Sequence, residues 1–148
     1  NVATSVGLRI EFWTKSINFF TQAPVIGHGT GSTRGLFEQA ATGEVTSASG
    51  RIINNPHNQT LKVAIQWGLV GVLLLYSMCW ANLRLFRGDG LVAWIGLLVV
   101  VQNIFTSLFN SHISDFHEGW MYVLGVGVAG GMTIRAKAQL NSRVYGMS

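Results

Sequence analysis

Residues 61–83 read LKVAIQWGLVGVLLLYSMCWANL, a run of 23 residues whose one charge, Lys62, stands at its leading edge. As a helix rising about 1.5 Å per residue, the run covers roughly 34 Å, enough for the ~30 Å hydrocarbon core of a bilayer. Two further apolar runs follow. Residues 91–109 read LVAWIGLLVVVQNIFTSLF, and residues 116–134 read FHEGWMYVLGVGVAGGMTI, less strictly apolar and rich in glycine. The expected architecture is all-α: a polytopic transmembrane helix bundle with about three spans, near 61–83, 91–109 and 116–134.

Composition agrees with that reading. Of 148 residues, 49% are hydrophobic and 11% charged, where a soluble domain carries about 25% charged residues. The apolar residues gather after residue 60, behind a more polar segment. The formal charge of +4 does not indicate nucleic acid, because the ten basic residues are scattered and half of them flank hydrophobic runs. The one cysteine, Cys79, lies inside an apolar run and reads as a packing residue, since a lone thiol builds neither a disulfide framework nor a metal cluster. The start, Asn-Val-Ala-Thr, has no initiator Met and no signal-peptide pattern, so the sequence reads as a fragment whose upstream part is missing.

Loop charges set an expected orientation. Arg84 and Arg87 lie between the first two runs, and Arg135, Lys137 and Arg143 follow the third. Basic residues accumulate in cytoplasmic loops. Two spans separate these groups, so both fall on one side. Residues 1–60 and the loop at 110–118 are then extracytoplasmic, residues 61–148 form the membrane region, and 135–148 form a cytoplasmic tail. Within the outer segment, Val6, Ile10, Trp13, Ile17 and Phe20 recur at spacings of 4, 3, 4 and 3, an apolar stripe on one helical face that Pro24 ends. Such a helix suits a membrane interface, packing on other spans, or a soluble core. Residues 27–50, opening with GHGTGSTRG, read as a loop, and that opening as a flexible turn; it lacks the Gly-Lys-Ser/Thr ending of a phosphate loop.

The stretch NNPHNQTLKVAIQWGLVG, residues 54–71, carries the strongest chemical signal. Asn58 and Thr60 are both good N-caps, so His57 falls at the mouth of the membrane beside a helix start. That end carries about half a positive charge and unpaired N–H groups, which attract phosphate. The same field opposes protonation of an adjacent imidazole, leaving it able to accept a proton. A structural loop histidine is the plainer reading of the same residue.

His57-Asn58, nine residues, Gly68, two residues, Gly71 resembles the His-Asn/Ser/Gln–x9–Gly-x-x-Gly signature of the O-antigen ligase and polymerase superfamily. Arg9, then Trp13, then the Pro24–Gly27–Gly29 turn are similar to that family's outer-loop opening. Motif-level likeness covers residues 9–83, and a second outer-loop arginine of the family has no counterpart here. The resemblance implies transfer of a glycan from an undecaprenyl-diphosphate carrier to an acceptor hydroxyl, on the periplasmic side of the bacterial inner membrane, with no metal or cofactor. It maps the family's essential histidine onto His57 and its outer-loop arginine onto Arg9. The implied partners are that lipid-linked glycan, an acceptor glycolipid or glycan, and membrane lipids. Ligation, polymerisation and transfer to protein hydroxyls all remain open.

The residue chemistry is compatible. A departing diphosphate develops negative charge that a metal or fixed cations must meet. Residues 1–60 hold Glu11, Glu38 and Glu44 with no two adjacent, so a D-x-D-like metal pair is missing and arginine is the candidate, its fork matching phosphate. Arg9 is preferred for its place near the apolar edge of the first helix, ahead of Arg34 and Arg51. Asn58 and Gln59 either orient the acceptor or cap the helix. Asn103, Thr106, Ser107 and Asn110 share a helix face, for interhelical bonding or a polar wall below the site. Asp115, His117 and Glu118 read as a solvated loop, and Gly127 and Gly131 as a close-packing pair. A non-catalytic membrane transport component is the alternative of another class.

Overall fold

The computed structural model describes residues 5–42 and 56–145. The described residues contain helices and no strand: α1 (Ser5–Gln22), α2 (Ser32–Thr42), α3 (Gln59–Leu85), α4 (Leu91–Ser107) and α5 (Phe116–Tyr145), with a 3-10 turn at His112–Ser114. They fall into two compact units, one of Asn1–Tyr76 with Thr106–His112 and the other of Ser77–Phe105 with Ile113–Ser148. By length and composition α3 is apolar enough to cross a membrane, and α4 is a shorter apolar helix.

In the first unit, α1, α2 and the start of α3 close around Phe12, Phe19, Phe37 and Ile65. Phe37 stands edge-on to Phe12 and Phe19, with ring centroids 6.2 and 5.3 Å apart. Burial of such a ring stabilises by roughly 1.5–3 kcal/mol, which is why residues 32–42 are helical. The expected loop over 27–50 is corrected accordingly: α2 occupies part of it, its weak local signal overridden by Phe37. The packed face of α1 also differs from the stripe seen in the sequence. Leu8, Phe12, Ser16 and Phe19 face the core, whereas Val6, Ile10 and Ile17 are more than half exposed. Both faces are apolar, and periodicity alone does not choose between them.

The 61–83 run forms the expected helix but not a straight one. Gly68, at φ 60° and ψ −153°, breaks α3 in a region of backbone space that only glycine occupies readily. The two arms bend back on each other there. Thr60 Oγ1 and Tyr76 OH share a hydrogen bond of 3.0 Å, although sixteen residues of straight helix would separate them by about 24 Å. A Cβ on Gly71 would stand 3.1 Å from Val63 Cγ1, so this buried glycine is part of the closure.

The turn after α1 fills the break. In an unbroken helix the Leu69 and Val70 amides would bond to the Ile65 and Gln66 carbonyls. Here Leu69 N–H donates to Pro24 O at 2.8 Å and Val70 N–H to Val25 O at 3.2 Å. The carbonyls left over accept from the turn, Ile65 O from His28 N–H at 2.9 Å and Gln66 O from Gly29 N–H at 2.8 Å. The side chains add to this: Gln66 Oε1 accepts from Gly31 N–H at 3.0 Å, and Trp67 Nε1 donates to Thr30 Oγ1 at 3.0 Å. A Cβ on Gly27 would collide with the Gln66 and Trp67 backbone, and one on Gly68 with the Val25 backbone. The expected flexible turn at 27–35 is therefore corrected: its backbone is bonded into α3.

In the second unit Phe86 is the centre, almost fully buried with Val100, Tyr122 and Ala129. Its ring occupies the space beside Gly96. Asn82 Nδ2 donates to Tyr122 OH at 2.8 Å, and Lys137 Nζ to Leu85 O at 3.0 Å, closing the last turn of α3. The helix α5 runs on to Tyr145, so most of the expected tail at 135–148 is helical. Gly127 and Gly131 are not the close-packing pair in this unit. A Cβ at either meets nothing within 4 Å, whereas Gly125 lies against Val99 and Gly130 against Leu85.

Candidate functional site

The site is built at the start of α3. Pro56 is buried. His57 follows with φ 53°, the one non-glycine residue at positive φ among those described. Histidine enters this left-handed region more readily than most side chains, but the conformation must be held by its surroundings. Asn58 comes next. Its Oδ1 accepts from Leu61 N–H at 3.0 Å and its backbone carbonyl from Lys62 N–H at 3.0 Å, the pattern of an N-cap. Its Nδ2 donates to Leu108 O at 3.0 Å.

Both ends of the Asn58 carboxamide are thus committed. Of the two roles open to Asn58 in the sequence, the structure shows the cap. Gln59 is buried. His57 itself is half-buried, directly ahead in the chain of the amides of the first turn of α3. Those amides and the helix dipole favour an anion at this point.

The Leu108 contact brings in a segment that sequence reasoning did not connect to His57. Thr106–His112 belongs to the same unit as His57. Ser111 is fully buried there, and His112 is half-buried. The available signal was the polar face Thr106, Ser107 and Asn110. Its partner was illegible because Asn58 reaches a backbone carbonyl, which has no residue identity.

Arg9 is exposed on α1, one turn ahead of the packed Phe12. Arg34 lies on α2, its Nε paired with Glu38 Oε1 at 2.6 Å on the surface. Arg51 and Glu44 lie outside the described residues. His28 is structural: its Nε2 lies 2.8 Å from Phe19 O, and because a carbonyl only accepts, that nitrogen carries the proton. Lys15 pairs with Glu11 at 2.8 Å. His117 and Glu118 are exposed at the start of α5, and no three His, Cys, Asp or Glu side chains gather to hold a metal ion among the described residues.

Arg9 and His57 share one further relation. The helix α1 and the first arm of α3 both lead into the interlocked turn, and both pack against the same aromatic core. Counted back from Pro24, Arg9 lies fifteen residues along the chain, about 22 Å if helical throughout. From Gly68, Gln59 at the start of α3 lies nine residues back, about 14 Å of helix, with His57 two residues beyond. A family model described as O-antigen ligase matches residues 1–76, the stretch that contains α1, the turn, α2, His57 and the break in α3. No curated protein sequence matches the chain.

Proposed function

The chain belongs to the O-antigen ligase family, and from that premise we propose that it carries the base of a membrane glycosyltransferase acting on a lipid-linked donor. The family and the apolar α3 point to a membrane protein of glycosyltransferase type. In the finer reading, the acceptor hydroxyl loses its proton to His57 as its oxygen attacks the anomeric carbon of a glycan on undecaprenyl diphosphate. The bond from that carbon to the diphosphate breaks, and its electron pair leaves with the phosphate oxygen. Attack from the opposite face inverts the anomeric configuration. Arg9 and the first amides of α3 meet the charge on the leaving diphosphate. No metal takes part. The acceptor is a glycolipid, as in ligation to lipopolysaccharide, ahead of a growing glycan or a protein hydroxyl.

The observation that carries this reading is the conformation of His57. A residue at positive φ directly before an N-cap stands in the chain at the positive end of a helix, where a proton acceptor and a phosphate site would adjoin. With the second arm of α3 and the runs near 91–109 and 116–134 as spans, and residues 1–60 outside the cytoplasm, that end would lie on the periplasmic side of the bacterial inner membrane. The test replaces His57 by Ala in the full-length protein, verifies membrane abundance, and reads glycan attachment by gel. Loss of attachment at normal abundance is expected. Full attachment would refute the enzyme reading and favour a transport component with a structural histidine.

A further inference from the structure

The α1–α2 segment reads in sequence as a water-facing loop, yet its turn is bonded into the apolar stretch of α3. Pro24 and Val25 hold the amides of Leu69 and Val70, the first residues of the second arm of α3. Around this knot the large side chains are apolar and exposed: Val25 62%, Ile26 75%, Leu69 52%, Val70 48%, with Leu73 beyond them. Water has no reason to favour such a surface, and it is too continuous to be a scatter of single residues.

We infer that the Pro24–Gly29 turn is seated in the bilayer, with Val25 and Ile26 in contact with lipid acyl chains. Two observations select lipid as the occupant. The first is continuity. Leu69–Leu85 is a helical arm of 17 residues, about 25 Å long, and a hydrocarbon core of ~30 Å takes up the whole of it. A turn hydrogen-bonded to its first two residues shares their depth. The second is satisfaction of the backbone. Non-helical chain is tolerated at membrane depth only where its polar groups are paired within the protein. The break at Gly68 frees two carbonyls and two amides, and the turn takes up all four. In water, solvent would serve as well. Trp67, with its indole N–H on Thr30 Oγ1, has the amphipathic form common where a membrane meets water. On α1, Val6, Ile10 and Ile17 are likewise exposed.

This inference rests on α3 crossing the bilayer and not on any catalytic role of His57. The test uses the full-length protein in lipid nanodiscs with Cys79→Ala as background. Single spin labels are placed by Ile26→Cys and Ile10→Cys, with Leu73→Cys as the lipid reference and Arg34→Cys as the aqueous one. Power saturation is read with oxygen, which partitions into acyl chains, and with a water-soluble nickel chelate. The labels at 26 and 73 should both be reached by oxygen, with nickel access several-fold below that at 34. Nickel access at 26 equal to that at 34 would overturn the inference. Exclusion of both reagents at 26 would overturn it as well, showing other protein segments there. An aqueous signal at 73 would remove its premise while leaving the test of His57 untouched.

Discussion

Leu69 donates its amide to the Pro24 carbonyl at 2.8 Å, across forty-five residues of sequence, in place of the Ile65 carbonyl four residues behind it. That substitution of a distant partner for a local one joins the two halves of the family match. The Pro-Gly turn exists to complete the helix that Gly68 interrupts, and the interruption folds α3 so that Tyr76 returns to Thr60.

Gly68→Ala is therefore expected to be severe. The new methyl meets the Val25 backbone, and alanine does not tolerate the φ and ψ found there. Strain and overlap together should cost on the order of 3 kcal/mol or more. Gly29→Ala, at φ 96° but with nothing within 4 Å of the added carbon, should cost about 1 kcal/mol. Thermal unfolding of the purified protein in detergent would rank the two, and equal midpoints would contradict the interlock.

His57→Asn separates chemistry from backbone. Asparagine also accepts positive φ, so the start of α3 should fold as before while the proton acceptor is gone. General-base catalysis contributes roughly 10²–10⁴-fold, and kcat should drop within that range at unchanged membrane abundance.

Asn58→Ala removes the cap and the tie to Leu108 together. A loss of about 1–2 kcal/mol is expected. Asn58→Asp keeps an oxygen for Leu61 N–H but has no donor for Leu108 O. It should therefore recover most of the stability while hydrogen exchange at 106–112 stays raised.

The two arginines Arg9 and Arg34 should respond unequally. Arg9→Ala is expected to lower kcat/KM for the lipid-linked donor by roughly 10–100-fold, on the scale of a lost charged hydrogen bond. Arg9→Lys should restore only part of it, because an ammonium lacks the fork. Arg34→Ala breaks one exposed pair with Glu38, worth under about 1 kcal/mol, and should leave turnover near that of the parent protein. Comparable losses at 9 and 34 would argue for a general basic surface instead of a defined phosphate contact.

Much of this was visible in the residues. The apolar runs at 61–83, 91–109 and 116–134 marked the helices that occupy 59–85, 91–107 and 116–145, Pro24 marked the end of α1, and Asn58 was one of two candidate caps of α3. The parts that stayed hidden share a cause. The start of α2 is a glycine-bearing polar stretch whose helicity comes from Phe37 meeting Phe12 and Phe19. The packed face of α1 was hidden because the helix has two apolar sides. A glycine within an apolar run is compatible with a continuous helix until a partner for its freed amides is found, and that partner lies at residues 24–29. At the site, the His-Asn pair was legible and its grip on the Leu108 carbonyl was not.

The broken rungs of α3 also bear on how the chain is made. A hydrophobic rod can leave the translocon alone, but a helix with two bare carbonyls and two bare amides costs several kcal/mol per group to strand in lipid. Residues 24–29 are synthesised before residues 65–70, so the complement is already made when the interruption emerges. Reporter fusions or deletions that part the two would send α3 to the membrane without its other half, and would misreport the topology of an intact molecule.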